Sequence, residues 1–325
     1  MRIVAFLFIL KKVFYMQTLV PVINKPDNYR ADLQQFLLYC QQFDAQKLAR
    51  FSAQIADLSL LAEWDIFDYH CVMMQHAQPQ NYIELAHQYG FDLFVISGYP
   101  LLEKAGLLVM DMDSTAIQIE CIDEVAKLAG TGEMVAAITE SAMRGELDFK
   151  QSLRKRVGTL KGAPATILDQ VRNNLPIMPG LERTLSALQN LGWKVAIASG
   201  GFTYFAEVLQ KKFGLVAVHA NRFAIENGIL TGEVDGEIVD AQYKANVLRQ
   251  LTQQYQIEPN QTIAIGDGAN DLLMMQTAAL GVAYHAKPKV QQQAQTMVNF
   301  ADLTALLCIL SANQQQYNYN FQQQK

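Results

Sequence analysis

Three short apolar runs in this chain each end in a cluster of small and acidic residues. "LLVM" (107 to 110) runs into "DMDST", "KVAIA" (194 to 198) into "SGGF", and "TIAI" (262 to 265) into "GDGAND". A strand buried on both faces reads as a continuous apolar run, and in an open parallel sheet ligands bind beyond the carboxyl ends of the strands. Polar clusters far apart in sequence can therefore meet at one edge of one sheet. No other feature of the chain limits its fold as tightly.

Two further runs, "VAVH" (216 to 219) and "GVAY" (281 to 284), continue the series, with helical segments between them. Such alternation predicts an α/β protein with a Rossmann-like core built on a parallel sheet. Asn227-Gly228 in "ENGIL" adds a hairpin, because both residues accept the positive φ of a tight turn. About eighty residues without a strand separate the first run from the second, too many for an ordinary crossover. They read as four helices: "CIDEVAKLAG" closing at Gly130, "EMVAAITESAMRG" closing at Gly145, then "DFKQSLRKRVGTL" and "PATILDQVRNNL". The expectation is a helical cap over about 117–190, inserted after the first strand into a core domain of 101–312.

Residues 16–100 mix short apolar segments with Gln-rich helical stretches and predict a small N-terminal α/β domain, ended by the turn at Gly98 and Pro100. The stretch "NQQQYNYNFQQQK" (313–325) reads as a solvated low-complexity tail. Residues 1–15 are expected to be an upstream extension or a loosely held arm, with Met16 as an alternative start. The apolar run Ile3 to Leu10 is shorter than the roughly 20 residues a membrane span needs.

The net charge of −5 argues against a nucleic-acid surface, which needs concentrated Lys and Arg, while a small anionic substrate needs only a local basic pocket. Cys40, Cys71, Cys121 and Cys308 show no C-x-x-C spacing and fit reduced thiols in a cytoplasmic protein. The five histidines show no metal-ligand spacing, and His219 and His285 are expected at strand ends. No membrane partner is expected, and a homodimer is left open.

Asp111 and Asp113 share a face if their strand continues, and two carboxylates so close repel unless a cation is present. Asp267 and Asp271 bring the number near one point to four, a hard oxygen set that suits Mg²⁺. One Asp can attack phosphorus, and its neighbour can manage the proton of the leaving group. Lys244, Ser199 and the N–H groups of Gly200 and Gly201 can meet the charge on the phosphoryl oxygens. Singly, each element has a plainer reading: a D-x-D after a strand is common, "SGG" is a turn, and a helical lysine is normally solvated. Their order, each at the end of an apolar run, is what points to chemistry.

With the helical cap, "DMDST…SGG…K…GDGAND" resembles the haloacid dehalogenase (HAD) superfamily over about Gly106 to Leu310. The resemblance implies a Rossmann-like HAD core with a cap of the C1 type. By the same resemblance Asp111 is the nucleophile and Asp113 the general acid/base. Mg²⁺ would be held by the carboxylates of Asp111 and Asp267 and the carbonyl of Asp113, with Asp271 in the outer shell. Ser199 and Lys244 would bind the phosphoryl group, with Gly200 and Asn270 beside it. "IECIDEVAKLAG" and "MRGELDFKQSLRKRVGTLKG" are similar to the caps of members that hydrolyse O-phospho-L-serine, the last step of L-serine biosynthesis. This implies Glu120 facing the ammonium, Arg156 pairing with the carboxylate, and Phe149 and Met143 closing over the substrate.

From the residues alone, Glu120 at a helix start equally favours the helix dipole, and motif order does not choose among the basic residues of "LRKRV". A phosphatase or phosphotransferase for another small phosphorylated amino acid or alcohol, and a phosphoaccepting signalling domain, remain as alternatives. The sequence of the N-terminal domain does not by itself assign it to the amino-acid-binding regulatory domains of some relatives, which leaves its role and any feedback by serine open.

Overall fold

A computed structural model describes residues 19–321. The expected arm at 1–15 and the alternative start at Met16 lie outside the described residues. The chain first builds β1 (Gln34–Cys40), α1 (Ala45–Ser52), β2 (Ser59–Ile66), β3 (Tyr69–His76), α2 (Ile83–Gln88) and β4 (Asp92–Val95). The strands form an antiparallel sheet in the order β2-β3-β1-β4. Alternate side chains of a strand face opposite ways, so β1 puts Phe36 and Leu38 under α1 and α2 while Leu37 and Tyr39 face the rest of the molecule.

The second sheet has seven strands: β5 (Leu107–Met110), β6 (Lys194–Phe202), β7 (Ala217–Glu226), β8 (Ile229–Asp235), β9 (Thr262–Gly266), β10 (Leu280–Tyr284) and β11 (Thr296–Val298). Their order is β11-β10-β9-β5-β6-β7-β8, parallel except for β8, which returns antiparallel on β7. The Asn227-Gly228 turn has φ of 50° and 77°, the left-handed pair that the sequence called for. β5 sits between β9 and β6, so its "LLVM" is buried on both faces. Its neighbours bring "SGGF" and "GDGAND" to the same edge as "DMDST".

Between β5 and β6 the chain forms the cap helices α3 (Cys121–Leu128), α4 (Gly132–Met143), α5 (Phe149–Gly158) and α6 (Thr166–Arg172). Gly130 and Gly145, at φ of 75° and 81°, follow the first two where a side chain would be strained. Asp148 and Gln151 make a capping box that starts α5. The cap's entry and exit segments pair, with Gln118 N donating to Pro176 O at 2.9 Å and Met178 N to Ala116 O at 3.0 Å. The next helix, α7 (Leu181–Asn190), packs against β6 and belongs to the core layer, so the cap stops short of residue 190. The core is completed by α8 (Thr203–Phe213), α9 (Ala241–Gln254), α10 (Leu272–Thr277) and α11 (Pro288–Gln291).

The C-terminal segment departs from the sequence expectation. Residues 313–321 are not a solvated tail but the end of α12 (Ala305–Phe321), and Asn313, Gln314 and Gln315 are buried. Side-chain amides carry both a donor and an acceptor, which lets them satisfy backbone groups in the interior. Asn313 donates to Pro100 O at 3.1 Å and accepts from Gly98 N at 3.2 Å, and Gln315 donates to Ile23 O at 3.1 Å. The helix thus packs against the N-terminal sheet and ties down the linker at Gly98 and Pro100, and composition alone does not separate such amides from solvated ones.

Candidate active site

β5 hands its ladder on by one residue, Asp111 N donating to Ile265 O at 3.0 Å. The chain then turns tightly, with Ala116 N and Ile117 N both donating to Met112 O. Ser114, at a φ of 55°, turns its hydroxyl to donate to Glu120 Oε1 at 2.7 Å. This turn returns Glu120, at the start of α3, to the side of Asp111 and Asp113. On the neighbouring strand, Gly201 N donates to Ser199 Oγ at 3.0 Å. A Cβ on Gly200 would stand 2.7 Å from Phe149 Cζ, and one on Gly201 2.8 Å from Asp113 Oδ2, so a side chain at either position would displace the ring or the carboxylate of the site.

Asp111, Asp113, Ser199, Gly200, Asp267 and Asn270 line a cavity of about 160 Å³, and Glu120, Phe149 and Arg156 close it from the cap. Lys244 and Asp271 stand behind its wall, fully buried. The Lys244 ammonium lies 3.0 Å from Asp111 Oδ2 and 2.6 Å from Asp271 Oδ1. Met143, unlike the predicted cap residues Glu120, Phe149 and Arg156, does not line the cavity. It ends α4, is 61% exposed, and places Sδ 2.9 Å from Lys287 Nζ on the loop after β10. Sequence reading missed Ser114, Ile122 and Leu153, the last two of which line the wall. Only Ser114 left a trace, as the polar residue after the second aspartate.

Burial sets the charge states. Asp113 is pushed well above the usual carboxylate range by burial, then by Glu120 and Asp111. Burial also raises Glu120, against the hydrogen bond from Ser114. Asp267 is raised to about 8 and Asp271 to about 7, each by burial first and Asp111 second. Burial alone would lower the Lys244 ammonium, but Asp111 and Asp271 outweigh it and hold it above its ordinary value.

Comparison with known proteins places this arrangement. The haloacid dehalogenase-like hydrolase family model matches residues 106–279. The chain belongs to the haloacid dehalogenase-like hydrolases. It is 58% identical to the phosphoserine phosphatase of Haemophilus influenzae over 86% of this chain and 89% of that one. The unliganded probable phosphoserine phosphatase of Vibrio cholerae superposes with a TM-score of 0.79 at 48% identity, covering 87% of this chain and 88% of that one. A structure described as a phospho-aspartyl intermediate analogue of phosphoserine phosphatase superposes with a TM-score of 0.60 at 39% identity, over 63% of this chain and 98% of that one.

In this hydrolase, carboxylate oxygens of Asp111, Asp267 and Asp271 lie within 4.8 Å of one another. Oxygen donors gathered this closely, with Asp267 and Asp271 driven toward protonation by burial first and by the neighbouring carboxylates second, fit a hard divalent cation. Two buried polar atoms of the cavity residues have no partner, Asp113 Oδ1 and Arg156 Nε. Buried polar groups are normally paired, so both suit a polar ligand. Among the described residues no helix is long and apolar enough to cross a membrane.

Proposed function

We propose that this hydrolase is an Mg²⁺-dependent phosphomonoesterase acting on O-phospho-L-serine, releasing L-serine and phosphate. The observation that carries the reading is that Glu120 and Arg156, on the cap, line the same cavity as Asp111 and Asp113. A carboxylate and a guanidinium are the groups that pair with an ammonium and a carboxylate, and the paired aspartates suit a phosphoryl group. The high identity to the H. influenzae phosphoserine phosphatase supports the same substrate.

Asp111 attacks phosphorus and becomes an aspartyl phosphate as the serine oxygen leaves. Asp113, kept protonated by burial, gives its proton to that oxygen and then takes one from the water that attacks the phosphoenzyme. Ser199 Oγ, the nearby backbone N–H groups and Lys244 hold the phosphoryl oxygens. The carboxylates of Asp111 and Asp267 and the carbonyl of Asp113 would hold Mg²⁺, with Asp271 behind them, and the ion would supply positive charge to those oxygens. Glu120 takes the ammonium, Arg156 the carboxylate, and the Phe149 ring over Gly200 excludes water. Four buried free thiols fit the cytoplasm as the place where this happens.

Phosphate release from O-phospho-L-serine is measured with Mg²⁺ and with EDTA, beside a phosphate ester lacking the carboxylate. Mg²⁺-dependent preference for phosphoserine is expected. Equal kcat/KM on both esters would remove the substrate assignment and leave the aspartyl-phosphate chemistry.

A further inference from the structure

Asn221 lies on β7, outside the three strand-end clusters, and is 1% exposed. Its side chain joins two separate elements. Nδ2 donates to the Gly200 carbonyl at 2.8 Å, and Oδ1 accepts from Val239 N at 2.9 Å. Val239 precedes Asp240, the N-cap of α9, and Lys244 lies one turn into that helix.

The bond to Gly200 fills a gap in the ladder. Pairing of β6 with β7 is interrupted by a bulge between Ala198 and Phe202, which takes in Ser199–Gly201. A peptide unit is planar and trans, so its C=O and N–H point opposite ways. Tying the Gly200 carbonyl back to Asn221 therefore aims the Gly201 N–H of the same peptide at Ser199 Oγ.

The cap lands on the two elements that Asn221 joins. The Phe149 ring covers Gly200, and Lys150 Nζ lies 2.7 Å from Asp240 Oδ2. Adhesion of β6 to β7 does not need the amide, since Phe202 and Phe223 already stack at 3.6 Å across the two strands. An aliphatic side chain could fill the same volume but could not fix either backbone group.

We propose that Asn221 is a positioning residue: its amide sets the Gly200–Gly201 peptide and the start of α9 in one register. Ser199 and Lys244 then present to the phosphoryl group together, and α5 closes on an edge already aligned. The inference rests on the phosphatase reading of the cavity.

Asn221→Asp keeps the acceptor for Val239 N–H and sets an oxygen against the Gly200 carbonyl, while Asn221→Leu removes both bonds. Asn221→Ser, smaller and still polar, carries the same measurements should either of these fail to fold. Calorimetry reads binding of Mg²⁺ alone and of inorganic phosphate in the presence of Mg²⁺, beside steady-state kinetics on phosphoserine and the urea midpoint.

Mg²⁺ affinity is expected to stay near wild type, since its carboxylates make no bond to Asn221. Phosphate binding should weaken and kcat/KM should drop by about 10- to 100-fold, mostly in kcat, the scale of an ångström misplacement near the reacting group. Unchanged phosphate affinity in a folded variant would overturn the proposal. So would parallel loss of Mg²⁺ binding, phosphate binding and urea stability, which marks a purely structural role. Wild-type protein that binds Mg²⁺ and phosphate yet leaves phosphoserine intact would remove the substrate reading instead, and the split between Mg²⁺ and phosphate would still decide on Asn221.

Discussion

Replacing Lys244 by methionine keeps most of the side chain's volume and deletes one ammonium from between two buried carboxylates. Its Nζ stands 3.0 Å from Asp111 and 2.6 Å from Asp271, with none of the lysine exposed. At an effective dielectric constant of about 20, the two contacts are gross attractions of roughly 5.5 and 6.4 kcal/mol, part of which offsets desolvation. Breaking a buried pair by removing one partner leaves an uncompensated charge and costs about 3–5 kcal/mol.

The orphaned Asp271 carboxyl can escape by protonating, with Asp267 titrating close by, and that fixes the pH dependence. Asp267 is already raised to about 8 and Asp271 to about 7, against about 3.9 for an aspartate in an unfolded chain. A group with a raised folded-state pKa contributes stability that is fully present below its unfolded value and lost as pH rises through the folded one. The deficit of Lys244→Met should therefore be small near pH 5 and largest above pH 8. Urea denaturation in EDTA at both pH values measures it, and added Mg²⁺ should recover part of the loss by replacing the missing cation. A deficit under about 1 kcal/mol that does not change with pH would refute the view that Lys244 balances this cluster.

Asp111→Asn should abolish turnover and the phosphoenzyme, because an amide cannot replace the carboxylate nucleophile; acid-quenched labelling with radioactive substrate reads this directly. Arg156→Ala should lower kcat/KM for phosphoserine by about 100-fold and spare a carboxylate-free ester, and equal loss on both would show that Arg156 does not read the carboxylate. Asn313→Leu strips partners from the Gly98 N–H and the Pro100 carbonyl and should cost about 2–4 kcal/mol in urea denaturation with little change in kcat, whereas an unchanged midpoint would mean those groups find other partners.

The catalytic edge of this protein is legible from sequence because its code is local. An apolar run buried on both faces, closed by acidic and glycine residues, names a strand and its functional end, and parallel-sheet geometry does the rest. The Gly130 and Gly145 stops and the Asn227-Gly228 turn are equally local, since each depends on a backbone conformation that few residues adopt. What only the tertiary structure decided are the places where one residue's meaning depends on a partner far along the chain.

Glu120 could have served a helix dipole, and it is the Ser114 hydroxyl and the shared cavity that set it beside the aspartates. "LRKRV" offers three basic residues in a row of five, and packing of α5 puts Arg156 on the cavity. Met143 matched a cap pattern yet rests on Lys287. The Gln-rich C-terminus looked solvated because an amide side chain is neutral about burial until it meets a backbone group to bond. Local sequence writes backbone conformation and burial pattern; the pairing of polar groups is a property of distances that exist only once the chain has folded.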